Sequence, residues 1–553
     1  MPRSLTYEMP SVENSRVDQT PRPRLQRQRR FTPFGLAAAF AFGTAASADT
    51  FVVSNTSDSG AGSLRAAILA ANAQTFTGGK FCARHRIEFA IPGAEPHSIR
   101  PLSALPMIAI PMDVDGYSQP GATASNGISP AVLKIEIDGS LAGAVDGFVT
   151  RPSGLGPGCN GSTSGLRGLA INRFAGSAIV VAAEGCLPTM ICGAGGIRIT
   201  GNFIGTDVTG SLARGNGALG RAAIRLGSTA SFNIIGDQVL EDGGFASPDV
   251  ALRNVISGNF GDAISISSTT AGSQSLRNRI RGNTIGLNAT ANAAVPNAGN
   301  RIVLGTATFL TRVDDNFISG NLGHGVVVDG IDNDSSLNKN LVGSGANALP
   351  FGNGGDGISV LGGAKVLVSR SSVSNNGGAG VFAAGDTYVN VVPSGIINNG
   401  GLGIDLAPRG VNPNDPLDAD GGPNHGLNTP IIDSASGAAA PAFSTISGRL
   451  QSEALSAQTI AFFRSDICDA SGSGEGKATA VLSSGLSFLS VTTDSAGNAN
   501  FSGEFFALPA GTVVTAIARR VLPGNVTGIM EVSEFSPCAF AGSELPLFAN
   551  GFE

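Results

Sequence analysis

An all-β chain is predicted by three observations in the 553-residue sequence: a parallel β-helix with an amphipathic helical cap in front and a small antiparallel β-sandwich behind. The first is composition, with 78 Gly, no Trp, 14% charged residues, and 42% apolar residues spread through short Val, Ile and Ala runs. Alternating helices and strands would need more Glu, Lys and Leu, and a disordered chain would dilute its apolar residues with charge. The second is an internal repeat of 23 or 24 residues. The third is the loss of that repeat after residue 435, where longer strand-like runs take over.

Residues 1–48 read as a signal peptide. A basic run, Arg22 to Arg30, precedes an apolar run at 34–42, and Ala46-Ser47-Ala48 supplies the small-x-small cleavage pattern. The apolar run is too short for a transmembrane anchor. Removing the leader takes seven Arg and three acids and leaves 28 basic and 38 acidic residues. That balance argues against nucleic acid or an anionic membrane as partner. Six cysteines in an exported chain read as disulfides: Cys186 with Cys192 by proximity, Cys468 with Cys538 by shared domain, and Cys82 with Cys159 as the remainder.

Residues 49–84 are expected to form an N-terminal cap of strand and helix. Leu64, Ile68 and Ala71 share one helical face, Ser63 is the N-cap, and an open solenoid needs a cover at its end.

The β-helix is assigned to 85–432. The segment from Asn254 to Ile266 aligns without a gap on Asn316 to Val328; Asn353, Asn376 and Asn399 recur every 23 residues, and Asn259 to Asn283 is 24. Each unit is a short strand, an Asn/Gly turn and another short strand, too few residues for a crossover helix, so the chain must climb as a coil. Inward Val and Ile then share one core, and asparagines at one coil position stack amide on amide. The span allows on the order of a dozen coils and a rod roughly 60 Å long. Excess length near Ala289 to Gly299, and between Asn321 and Asn353, is expected to bulge from one side.

The run Asn55-Thr-Ser-Asp-Ser-Gly-Ala-Gly-Ser-Leu-Arg-Ala-Ala-Ile68, followed by Ile87-Glu-Phe-Ala-Ile-Pro-Gly93 and Asp115-Gly-Tyr-Ser-Gln-Pro-Gly121, resembles the opening of secreted bacterial right-handed parallel β-helix repeat proteins. The segments 201–210 and 414–424 are similar to others of theirs. The resemblance implies a right-handed coil and an extracellular or outer-surface setting, and it is tied to no single activity.

Residues 433–541 carry strand-like runs at Thr445, Thr459, Leu489 and Thr512, which predict the sandwich, with Cys468 and Cys538 clamping it. The tail, 542–553, resembles short C-terminal tails of exported bacterial proteins.

Asp314-Asp315 with Gly323-His324-Gly325 resembles the signature of polygalacturonases. The aligned copies, however, place Asp262, Asp356, Ala379 and Leu402 where His324 stands, and the flanking glycines belong to the turn. Only nine residues separate Asp315 from His324, less than one coil, and the downstream Arg-x-Lys is missing. His324 is therefore read as a turn residue. Were the chain an enzyme, the expectation is a polysaccharide lyase or hydrolase with an acidic groove near 312–334, built from Asp314, Asp315, Asp332 and Arg312. Sugar stacking has few handles, since only Tyr117 and Tyr388 remain after the leader. Asp415, Asp418 and Asp420 gather three carboxylates suited to calcium, although Pro416 departs from the regular calcium loop. The sequence thus predicts a monomeric binding or adhesion module facing an extended polysaccharide or another surface component, with calcium as its one candidate cofactor.

Overall fold

The computed structural model describes residues 48–542, apart from 75–83, 151–163, 182–195, 218–220, 238–246, 269–273, 522–529 and the single positions 332, 393, 441, 483 and 487. The leader, Cys82, Cys159, Cys186, Cys192, Asp332 and the tail from 543 lie outside the described residues.

Three parallel sheets of 12, 10 and 9 strands run the length of the repeat region. One coil contributes Lys365–Ser369 to the first sheet, Ser372–Ser374 to the second and Val381–Ala383 to the third. The next contributes Tyr388–Val391, Gly395–Ile397 and Ile404–Leu406, pairing Val366 with Val389, Val373 with Ile396 and Val381 with Ile404. Alternation within each short strand decides what faces inward. In the first sheet Ile280, Val313, Leu337, Val368 and Val391 stand one above another, each at most 1% exposed. Burying such a side chain stabilises by about 1.5–3 kcal/mol.

The corners are held by asparagine. Between the first and second sheets, Asn202, Asn254, Asn283, Asn316 and Asn340 form a ladder in which each side-chain amide donates to the carbonyl oxygen of the next, at 2.9–3.2 Å. Beyond the second sheet a longer one runs Asn216, Asn259, Asn297, Asn321, Asn353, Asn376, Asn399, with links of 2.9–3.1 Å. Residues 376 and 399 are therefore one rung apart, as the repeat requires. One spacing is corrected: Asn259 and Asn283 occupy different ladders, and the partner of Asn259 one coil on is Asn297. The two corners share an Asn/Gly vocabulary, so spacing alone merges them.

Among the described residues nine coils carry a strand in every sheet, fewer than the dozen expected. The difference lies in loops. Residues 206–213, 287–294 and 344–350 each follow a strand of the second sheet and close on themselves through single bridges. They also stack: Ala289 donates to the Gly210 carbonyl at 3.0 Å and Ala346 to that of Ala291 at 2.8 Å. The excess length thus does leave from one side.

At the front, the helix Leu64–Asn72 begins at Ser63, whose hydroxyl accepts the Ala66 N–H. It buries Leu64, Ala67, Ile68 and Ala71 in the same core as Val53, Ile87 and Phe89.

At the rear are two antiparallel sheets. One holds Ile431–Ala435, Ser444–Gln451 and Asn498–Phe505; the other is six-stranded around Ala457–Ser465 and Val513–Val521. They face each other across Ile446, Leu450, Phe501 and Phe505 on one side and Ile460, Phe462, Val514 and Ala516 on the other. Cys468 is bonded to Cys538. The six-stranded sheet is buried on both faces, because Ala461, Phe463, Ile517 and Val532, with Phe535, belong to the β-helix core. A backbone pair between Ile396 and Gly476 seals the contact.

Candidate functional site

With Ile280 and Val313 inward, alternation sends their neighbours Arg279 and Arg312 outward from the first sheet. Ile234, Arg279, Arg312 and Ser336 occupy one column over four successive strands. Two residues before the first three stand Phe232, Arg277 and Leu310, each with left-handed φ (59°, 52° and 54°). Phe232 and Leu310 are 37% and 41% exposed. These residues, with Asp334, line a groove of about 530 Å³. Arg277 and Arg312 are exposed, and neither makes a side-chain hydrogen bond or ion pair among the described residues.

This groove lies where residues 312–334 were expected to build one, but its character differs. Among the described residues its charged lining is Arg277, Arg279, Arg312 and the single acid Asp334. Of the expected catalytic residues that are described, Asp314, Asp315 and Arg312, its lining contains Arg312 alone. Asp314 sits two residues further along the same outer face and is 9% exposed; burial pushes its carboxyl up to about 6, against the pull of Arg312. Asp315 turns the corner with φ 55° and accepts from the buried Arg281 at 2.8 Å, whose other arm reaches Asp237 at 3.0 Å. That pair consumes Asp315. Asp334 is raised by burial and opposed by Lys365.

His324 stands at another corner, ahead of the third sheet. Its Nδ1 accepts the Asp356 N–H at 2.9 Å and lies 3.2 Å from the Asp356 carboxylate. One coil on, Asp356 repeats the pattern by accepting the Ala379 N–H at 2.9 Å. His324 and Asp356 thus share a turn position at which a side chain of one coil holds the backbone of the next, a role the aligned Ala379 and Leu402 cannot take. Burial would raise the Asp356 carboxyl, but His324, Arg409 and Ala379 outweigh it and hold the group at about 2. Arg409 grips it with both nitrogens at 2.8 and 3.1 Å and covers the Phe382 ring at 3.7 Å.

Asp415, Asp418 and Asp420 do come together, each offering an oxygen within 4.8 Å of the others. Such a set offers ligands to a hard cation. Asp418, however, already accepts from Arg520 at 2.8 Å, from Ser452 at 3.0 Å and from the Asn428 N–H at 2.8 Å. The guanidinium from the rear sheet supplies much of the charge that calcium would bring.

The expected site named Arg312 but not Arg277 or Arg279. The signal was present: Arg277, Arg279 and Arg281 recur at every second residue into the short strand Arg279–Arg281, and Arg312 returns one coil later.

The family described as right handed beta helix region matches residues 301–414. The chain contains a right-handed β-helix. The match covers the coils that complete the groove and those beyond it. No curated protein matches the chain.

Proposed function

We propose that the chain is an exported, monomeric binding module that holds an extended polymer along the outer face of the first sheet without cleaving it. The observation that supports this most is the groove, which crosses four rungs and joins exposed apolar side chains to the exposed guanidinia of Arg277 and Arg312, neither of them paired among the described residues. Long solenoids suit extended partners because each rung repeats the same lateral surface. The front helix and rear sheets act as caps in this reading, leaving the sides for partners. The Cys468–Cys538 bond favours an oxidising compartment.

The second reading, a polysaccharide lyase or hydrolase, draws on Asp314, whose raised carboxyl stands on the same face as Arg312. Glycoside hydrolysis pairs two carboxylates across the scissile bond; among the described residues the groove lining offers Asp334 alone. The test is to incubate the protein with pectate, alginate and neutral glucans, scoring retention in affinity gels together with new reducing ends or unsaturated products. Retention without products, weakened severalfold by Phe232→Ala, is the expected result. Turnover that disappears in Asp314→Asn would replace this reading with the enzymatic one.

A further inference from the structure

Resting on the groove as a binding surface, we propose that its polymer is an acidic polysaccharide, a polyuronate whose carboxylates are read by Arg277, Arg279 and Arg312. Arg279 and Arg312 are direct register partners, so two guanidinium-bearing positions lie one rung, about 4.8 Å, apart.

The contrast with other arginines of the same sheet is informative. Arg281 is divided between Asp237 and Asp315, and Arg167 lies 2.5 Å from Asp115. Arg277 and Arg312 have no such partner among the described residues; the acids on their face are the buried Asp314, which feels the pull of Arg312, and Asp334 of the groove lining. After the leader the chain has an excess of acids, 38 against 28 basic residues, so a polyanion is repelled by most of the surface and drawn to this groove.

Spacing and shape select the class of anion. A chain lying across the strands meets one rung per about 4.8 Å, comparable to one sugar ring, and a uronate offers one carboxylate per ring. The guanidinium fork matches a carboxylate with two parallel hydrogen bonds. Exposed Phe232 and Leu310 flank the arginines and present apolar surface to the C–H faces of sugar rings, which an inorganic phosphate polymer lacks. Charge here takes the place of the aromatic platforms that a chain without Trp cannot build.

The experiment measures binding to immobilised polygalacturonate, a neutral galactan and polyphosphate, using the wild type, Arg277→Gln, Arg312→Gln, the double variant and Phe232→Ala. Both arginines are exposed, and unchanged melting temperatures will show that the variants fold. Polygalacturonate is expected to bind best, with affinity falling steeply as salt shortens the screening length. Each Arg variant is expected to bind roughly tenfold more weakly and the double variant more weakly still. Galactan binding equal to polygalacturonate, Arg variants that bind as the wild type, or tighter binding of polyphosphate would each overturn the uronate assignment. If Phe232→Ala weakens galactan binding in that case, the groove reading survives; no retention of any polymer overturns both.

Discussion

At the residue scale, position in the coil decides what an asparagine or an arginine is worth. Asn321 lies in the middle of the long ladder, accepting from Asn297 and donating to Asn353 and the Ile285 carbonyl. Its replacement by Ala strands buried donors and acceptors in two neighbouring coils. A loss of about 2–3 kcal/mol in unfolding free energy is expected, whereas Asn292→Ala in an exposed loop should stay within about 0.5 kcal/mol. Equal effects in denaturant titrations would show that the ladder adds nothing. Arg301 is the opposite case. It stands in a column otherwise made of small residues, Ala223, Ala263, Gly325 and Gly357, is 0% exposed, and makes no side-chain hydrogen bond among the described residues. Burial lowers its guanidinium to about 9, the nearest opposing charge being Asp262. Exchanging a buried charge for an apolar side chain of similar length is often neutral or stabilising. Arg301→Met should therefore raise the melting temperature or leave it unchanged, and a marked fall would reveal a partner for the charge.

At the element scale, the rear sheets end the solenoid. The long ladder points its amide donors toward the last coil, so its end presents a row of N–H groups. Glu475 meets them, accepting from Asn398 at 2.6 Å and from the Asn399 backbone at 3.1 Å. Glu534 does the same for the third sheet, accepting from the Leu406 and Asn412 backbones at 3.0 Å each. Glu475→Ala should cost about 2–4 kcal/mol by leaving those donors buried and unmet; an unchanged unfolding midpoint would exclude the capping role. The repeat made the coil legible in the sequence, because Asn376 and Asn399 keep a 23-residue interval that only stacking explains. The helix was legible from Leu64, Ile68 and Ala71, and the rear strands from alternation. Glu475 and Glu534 were not, since a glutamate in a Gly/Ser-rich segment, as at 475, or near a second glutamate, as at 534, looks solvated until the coil it meets is known. The groove was half legible: of the expected site residues Arg312 lines it, while Arg277 and Arg279 of its lining come from one coil earlier, a neighbour that linear distance hides.

At the scale of the whole molecule, burial of carboxyls sets the response to pH. Asp314 is pushed up to about 6 and Glu534 to about 7, in both cases chiefly by burial, and Glu475 is raised for the same reason. A group whose carboxyl is raised on folding contributes stability that is complete below its unfolded value. That contribution is lost as pH climbs through the folded value. Asp356 works the other way: held at about 2 by His324 and Arg409, it stabilises above its ordinary 3.8 and fails only in strong acid. The two tendencies overlap on the acid side of neutrality. Calorimetric melting temperatures at constant ionic strength should therefore peak near about pH 4–5 and decline toward pH 8. Glu534 is buried, and moving from its ordinary 4.5 to about 7 corresponds to an effect on the order of 3 kcal/mol. Glu534→Gln keeps an acceptor for the Leu406 or Asn412 N–H while removing the titration, so it should flatten the part of the decline between about pH 5 and 7 and leave the acid limb intact. A wild-type curve that rises between pH 5 and 8 would mean that these carboxyls reach solvent, and with it that the rear sheets do not close the last coil.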